Sequence, residues 1–314
     1  FMPAYADQLK VRETDTNGNY LDGYKDGQFA MNPFTAGWEN PVAFQYRGLD
    51  NTNTHRFLSN LGLDVNILKN LVWKPSVSLD VIDSVNDRFI DPFRSVYGRQ
   101  ERGTGSQTFN LFQDFNLENT LNYTIKSEAH DLNLLGGFQL HERNVQGQYY
   151  WGNRFPQDLR EFVYELSENP NEIFRKEILR ELSYFGRALY TLNGKYTVMG
   201  VFRYNGSSAL ADGKKWGFFP GVSASWNVAN EDFLADSKVI SELKIRGGWG
   251  KTGNASGIPP YAHYNLERLN QAGENGSWST HQWSSDIGWE VTTDTNFGLD
   301  LGFANNRIKL TADV

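Results

Sequence analysis

Apolar and polar residues alternate along most of this chain with a period of two. Residues 55–67 place Phe57, Leu61, Leu63, Val65 and Ile67 on one face. Residues 71–82 set Leu71, Trp73, Val77, Leu79 and Val81 against Lys74, Ser76, Ser78 and Asp80. Within 108–125 the odd positions Phe115, Leu117, Leu121, Tyr123 and Ile125 are apolar. The even ones, Asp114, Asn116, Glu118, Thr120, Asn122 and Thr124, are too polar for a dry core and suit a wall against water. The pattern recurs at 130–142, 184–192, 196–204, 216–228, 243–250, 289–303 and 306–314. It predicts about ten strands of roughly 9 to 17 residues. A soluble sandwich strand averages about 5–6 residues, whereas a tilted membrane strand needs about 9–11.

The predicted connections alternate in length. Lys69–Asn70, Lys126–Ala129, Asn193–Lys195 and Ala304–Asn305 read as tight turns, and between them come long excursions at 83–107, 143–181 and 252–286. The link 205–215 is of middle length, and 229–241 reads as a short helical turn with Asn230 as its N-cap. If the strands run up and down, every long excursion falls at one end, as in outer-membrane barrels with turns in the periplasm and loops outside. The segment 158–182 carries helical spacing (Leu159, Phe162, Val163, Leu166; then Ile173, Phe174, Ile178), with a restart at Asn169–Pro170. Residues 1–54 are rich in Asn, Gly and Asp and lack periodicity, so they are expected to form a loop-rich, extracellular segment ahead of an incomplete barrel at 55–314.

Composition sharpens this picture. Apolar residues make up 39% and aromatics 14%, so the chain is aromatic and polar at once. A barrel with rings toward lipid and polar groups toward a wet lumen gives that mixture, as does a sugar-binding sandwich. The net charge of −7 and the lack of a basic run argue against nucleic acid. Without cysteine there is no disulfide frame and no thiolate metal site. No stretch approaches the ~20 apolar residues of a spanning helix, which leaves a barrel as the membrane route. No signal peptide is visible at Phe1, and both ends are expected to be cuts.

The run YTVMGVFRYNGSSALADGKKWGFFPGVSASWNVANEDFL, followed by LKIRGGWGKTGN, resembles SusC-like TonB-dependent transporters. SSDIGWEVTTDTNFGLDLGFANNRIKLTADV resembles the next block of that family, and the hairpins from residue 55 onward fit its order. The resemblance implies an all-β, antiparallel transmembrane barrel of 22 strands, of which this chain supplies about ten. It implies import of oligomeric nutrients, glycans or peptides, in the outer membrane of a Gram-negative bacterium. The implied partners are outer-membrane lipid, a SusD-like surface lipoprotein, and TonB, acting through a plug domain not recognisable in this chain. Neither catalysis nor a cofactor is implied. Two other readings stay open on the residues alone, a non-transporting barrel or adhesin and a secreted carbohydrate-active β-protein.

Extracellular aromatics are the candidate substrate contacts: Tyr149, Tyr150 and Trp151 in one cluster, and Tyr261, Tyr264, Trp278, His281 and Trp283 in another. Flat rings stack on the apolar faces of sugars, and the alternative is that they pack the loops or meet the partner lipoprotein. DTNGNYLDGYKD at 15–26 faintly resembles a calcium loop, but Tyr20 stands where the sharp turn wants glycine, so no metal site is assigned. The five histidines show no paired-ligand spacing, and no GxSxG or P-loop motif is present.

Overall fold

The computed structural model describes residues 10–14, 20–29, 48–90, 96–156, 162–234, 237, 239–264, 267–270, 277–280 and 285–314. The strands are β1 (Lys10–Thr14), β2 (Tyr20–Phe29), β3 (Gly48–Gly62), β4 (Val65–Leu68), β5 (Leu71–Ile90), β6 (Thr104–Lys126), β7 (His130–Asn153) and β8 (Asn171–Leu192). They continue as β9 (Tyr196–Ser207), β10 (Trp216–Asn227), β11 (Ile240–Asn254), β12 (Glu267–Asn270), β13 (Ser277–Thr280), β14 (Glu290–Phe303) and β15 (Ile308–Asp313). One six-residue helix, α1 (Val96–Glu101), precedes β6. Eleven strands make one sheet in the order β15-β14-β11-β10-β9-β8-β7-β6-β5-β3, with β4 on β5. β1 pairs with β2, and β12 with β13, in two small sheets. The fold is thus the antiparallel barrel wall that the alternation predicts.

All four tight turns stand where the pattern put them, at 69–70, 127–129, 193–195 and 304–307. Asn193 and Gly194 both take positive φ, 54° and 66°, the conformation that a two-residue hairpin turn requires. The strands outrun their predicted ends. β5 to β8 are 20, 23, 24 and 22 residues long, which shortens the excursions 83–107 and 143–181 to 91–103 and 154–170. The helical expectation for 158–182 is overturned. Only a 3₁₀ turn at Tyr164–Leu166 forms among the described residues there, and 171–192 is strand. Ladder pairing such as Glu181↔Ser207 outweighs a local pattern that strand and helix share. The expected cap at Asn230 is also displaced. Asn230 closes a 3₁₀ turn (Val228–Asn230), and its amide donates to the Gly194 carbonyl at 3.0 Å, tying two neighbouring turns.

The two faces of the sheet differ sharply. On β8 to β15 the registers align Tyr184 with Tyr204, Phe218 with Tyr204, Trp226 with Ile245, and Leu301 with Leu310, all on one face. The other face aligns Ser183 with Asn205, and Arg246 with Ser225, while Asp300 meets Thr311. Large exposed hydrophobics outnumber buried ones among the described residues, and most of the exposed ones stand on the first face. In a water-soluble domain that much apolar surface would seek a second layer. In a membrane, lipid covers it.

The apolar face is framed by aromatics at both ends. Trp216 stacks on Tyr204 (4.8 Å) and Tyr184 (6.4 Å) at the long-link end, and Trp226 stacks on Tyr196 (6.2 Å) at the short-turn end. Both tryptophans lie on β10 ten positions apart, about 33 Å of extended chain. At a tilt of about 40° this is about 25 Å along the normal, the height of an outer-membrane apolar band between its aromatic girdles. One polar side chain on this face, Asn119, has its oxygen covered by the Trp73 indole N–H at 3.2 Å.

By contact density the chain divides into two units. The first holds 1–57, 81–112 and 145–176, and the second holds 58–80, 113–144 and 177–314. In the first, Phe89 and Phe155 pack edge to face at 5.4 Å and are fully buried. In the second, the buried apolar residues are Ala209, Leu210 and Ala211 of the 208–211 link together with Phe219, Val228 and Ala262.

Candidate functional site

The polar face of the second unit carries three hydrogen-bonded clusters. The Asn133 amide donates to Asn122 (2.8 Å) and Thr124 (2.9 Å), and Arg187 donates to the Asn133 oxygen at 3.0 Å. The Gln139 amide donates to Asn116 at 2.7 Å, and Arg203 donates to Gln139 (2.8 Å), Ser183 (3.1 Å) and Asn205 (2.8 Å). His141 sits between two carboxylates, 2.9 Å from Asp114 and 3.1 Å from Glu181, and Arg143 joins at Asp114 (3.3 Å). Side chains that satisfy one another while half-exposed suit a water-filled lumen.

In the first unit, β5, β6 and β7 border a cleft of 350 Å³. It is lined by Arg88, Ile90, Tyr97, Thr104, Gly105, Ser106, Tyr149 and Trp151. Alternation explains the selection. Arg88 and Ile90 share parity with Lys74 and Asp80, Thr104 and Ser106 with Asp114, and Tyr149 and Trp151 with His141. Tyr150 therefore points the other way. It makes edge contacts with Phe109 (6.1 Å), Tyr164 (5.2 Å) and Phe174 (6.3 Å), a packing cluster and no part of the cleft. Two of the three sequence-predicted rings thus meet in one cleft and the third holds the wall. Arg88, Tyr97, Thr104 and Ser106 escape a sequence reading because they come from segments that only the sheet brings together.

The second predicted cluster lies in the other unit. The Tyr261 hydroxyl accepts the Ile178 N–H at 3.2 Å, so that ring is an anchor to β8. Tyr264 is exposed and lies 4.1 Å from the His263 ring, whose Nδ1 is 3.3 Å from the Ala209 carbonyl. Trp278 stands opposite Leu269 in the β12–β13 pair. His281 and Trp283 lie outside the described residues. Of the calcium-loop pattern, Asp15, Asn17 and Asn19 also lie outside them, and Asp26 lies in β2.

At the short-turn end one carboxylate ties the girdle together. Glu231 accepts the Tyr196 hydroxyl at 2.5 Å, the Trp226 indole N–H at 2.9 Å and the Lys195 amine at 3.0 Å. These bonds, with that of Tyr196 first, hold its carboxyl down at about 2. Lys195, bonded to Glu231 and Asp232, is raised.

The family model of TonB-dependent receptor-like β-barrels matches residues 4–314. The chain belongs to this family. The segment is therefore part of an outer-membrane β-barrel of the kind found in Gram-negative bacteria. The receptor is 26% identical over 309 residues to the TonB-dependent receptor SusC of Bacteroides thetaiotaomicron, covering 93% of this chain and 30% of that one. It is 28% identical over 304 residues to the TonB-dependent receptor P3 of Formosa agariphila, covering 92% and 29%. Among solved structures, the RagAB peptide transporter superposes with a TM-score of 0.71 at 22% identity, covering 95% of this chain and 33% of that chain. The chain thus spans about a third of the length of the relatives it matches.

Proposed function

We propose that this receptor imports oligomeric nutrients, glycans or peptides, under a SusD-like surface lipoprotein, with TonB supplying the energy through a plug domain. The observation that carries the reading is the 350 Å³ cleft, with Tyr97, Tyr149 and Trp151 beside Arg88, Thr104 and Ser106 on the inner-face parity at the long-link end. Rings offer stacking surface to sugar faces or apolar side chains, while the hydroxyls and the guanidinium offer hydrogen bonds to hydroxyls or carbonyls. Such a site holds a ligand and performs no bond chemistry, in keeping with a family of receptors and transporters. In the second unit, the polar side chains from Arg203 to Asn133 offer a passing oligomer exchangeable hydrogen bonds.

The test uses the native receptor extracted in mild detergent and two probes, a pool of defined oligosaccharides and a tryptic peptide pool. Trp151→Ala is expected to weaken retention of one pool about tenfold, equivalent to about 1.4 kcal/mol. A change remote from the cleft, Lys309→Met, leaves retention unchanged. If Trp151→Ala retains both pools as the unaltered receptor does, the cleft is not the ligand site.

A further inference from the structure

A second feature of the wall lies on the lipid side. β10 and β11 are zipped from Asn227↔Lys244 to Gly221↔Gly250 and no further. Beyond that point β10 continues to Trp216 along β9, while β11 continues to Asn254 along β14. Pro220, which has no N–H to give, stands where the ladder stops. Phe219 and Trp289, in edge contact at 5.3 Å, floor the gap. A Cβ at Gly217 or Gly253 would strike the Phe219 ring, so only glycine leaves room for it at both places. What remains is a notch of 550 Å³ whose lining includes Lys214, Lys251, Trp216, Phe218, Asp286 and Val291.

Parity places the opening. Trp216 and Phe218 share the apolar face with Val222. Lys251 shares it with Ile245 and Trp249, and Val291 joins it opposite Gly253. A lysine thus stands on the lipid-facing side of a spanning strand, two residues beyond Trp249, where its four-carbon stem can lift the amine to headgroup level. Among the described residues the Lys251 amine has no hydrogen bond or ion pair, and the side chain is exposed. Lys214 enters from the link above. Its amine is held by the Asp286 carboxylate at 2.7 Å and carbonyl at 3.3 Å. Among the described residues the notch therefore offers one unpaired cation and a second, partnered one, beside an apolar slot near the long-link girdle.

We infer that this notch binds the phosphate-bearing headgroup of an anionic lipid of the outer leaflet, with the phosphate on Lys251 at the level of Phe218 and Val291 and the acyl chain running inward past Trp249 and Val222. The rings at the rim favour a lipid over free phosphate, because an apolar slot adds nothing to the binding of a small hydrated anion. Among the described residues Asp286 is the one carboxylate in the lining and it already faces Lys214, which favours an anionic over a zwitterionic headgroup. Bound there, the lipid would fill the place where the wall lacks a ladder.

The test is native mass spectrometry of the receptor extracted in mild detergent, counting retained lipid after exchange into vesicles that contain a phosphorylated glycolipid and a zwitterionic phospholipid. The unaltered receptor should keep the phosphorylated lipid selectively. Lys251→Met should lower that retention about fivefold, the effect of one cation near an anionic surface, and Lys251→Arg should preserve it. Lys309→Met, on the inner face beside Glu242 at 3.6 Å, should change nothing. Heat-modifiable migration on gels confirms that each variant is a folded barrel. The inference is overturned if Lys251→Met retains as much as the unaltered receptor, or if Lys309→Met loses as much. It is also overturned if the zwitterionic lipid is kept equally, or if millimolar inorganic phosphate strips the lipid as fully as Lys251→Met does.

Discussion

Val222 and Ser223 are neighbours in sequence and should answer the same substitution in opposite ways. Val222 faces outward, is 51% exposed, and lies six residues from Trp216 and four from Trp226 along β10. At about 3.3 Å per residue and a tilt of about 40°, it sits about 10 Å inside the nearer girdle, close to the midplane of a band about 25 Å tall. An arginine there should cost about 2–4 kcal/mol. Ser223 faces the polar side, opposite Met199 on β9 and Gly248 on β11, where the glycine leaves space for a longer chain. Ser223→Arg should cost no more than about 0.5 kcal/mol. The assay is guanidinium unfolding of the receptor from phospholipid vesicles, followed by tryptophan fluorescence. Equal costs, or a larger cost at Ser223, would refute both the assignment of faces and the depth of the band.

Three further outcomes follow from the same geometry. Trp73→Phe removes the indole donor to Asn119 on the lipid side and should cost about 1–3 kcal/mol, whereas Trp73→Phe with Asn119→Leu should recover most of it in the same unfolding assay. Glu231 titrates at about 2 when folded against an ordinary 4.5, so its contribution is present above pH 4.5 and disappears as pH falls toward 2. The melting-temperature gap between the receptor and Glu231→Gln should therefore narrow across that window, and a gap independent of pH would remove Glu231 from the girdle's support. Tyr150→Ala should destabilise the barrel by about 2 kcal/mol through its three ring contacts while ligand retention per folded molecule is kept, the reverse of Trp151→Ala.

Faces and turns were legible in the sequence because the membrane imposes them. A strand with lipid on one side and water on the other must alternate, as Leu121 to Ile125 do, and a turn such as Asn193–Gly194 needs residues that accept positive φ. Strand length was not legible, because outside the lipid that contrast fades. Val85 to Ile90 and Val145 to Asn153 mix both residue classes on both faces. Ile173, Phe174 and Ile178 fit a helix as well as a strand until a neighbour supplies the ladder. The candidate site was half legible. Trp151 and Tyr149 stand out as rings, but a period of two was needed to separate them from Tyr150. The notch beside Lys251 was invisible, since it depends on where two strands stop pairing.

The most direct test of the account is to extract the native receptor from its outer membrane in mild detergent and identify by mass spectrometry what comes with it. The account predicts a membrane-bound barrel that co-purifies with a SusD-like surface lipoprotein. A polypeptide recovered water-soluble and alone would contradict it.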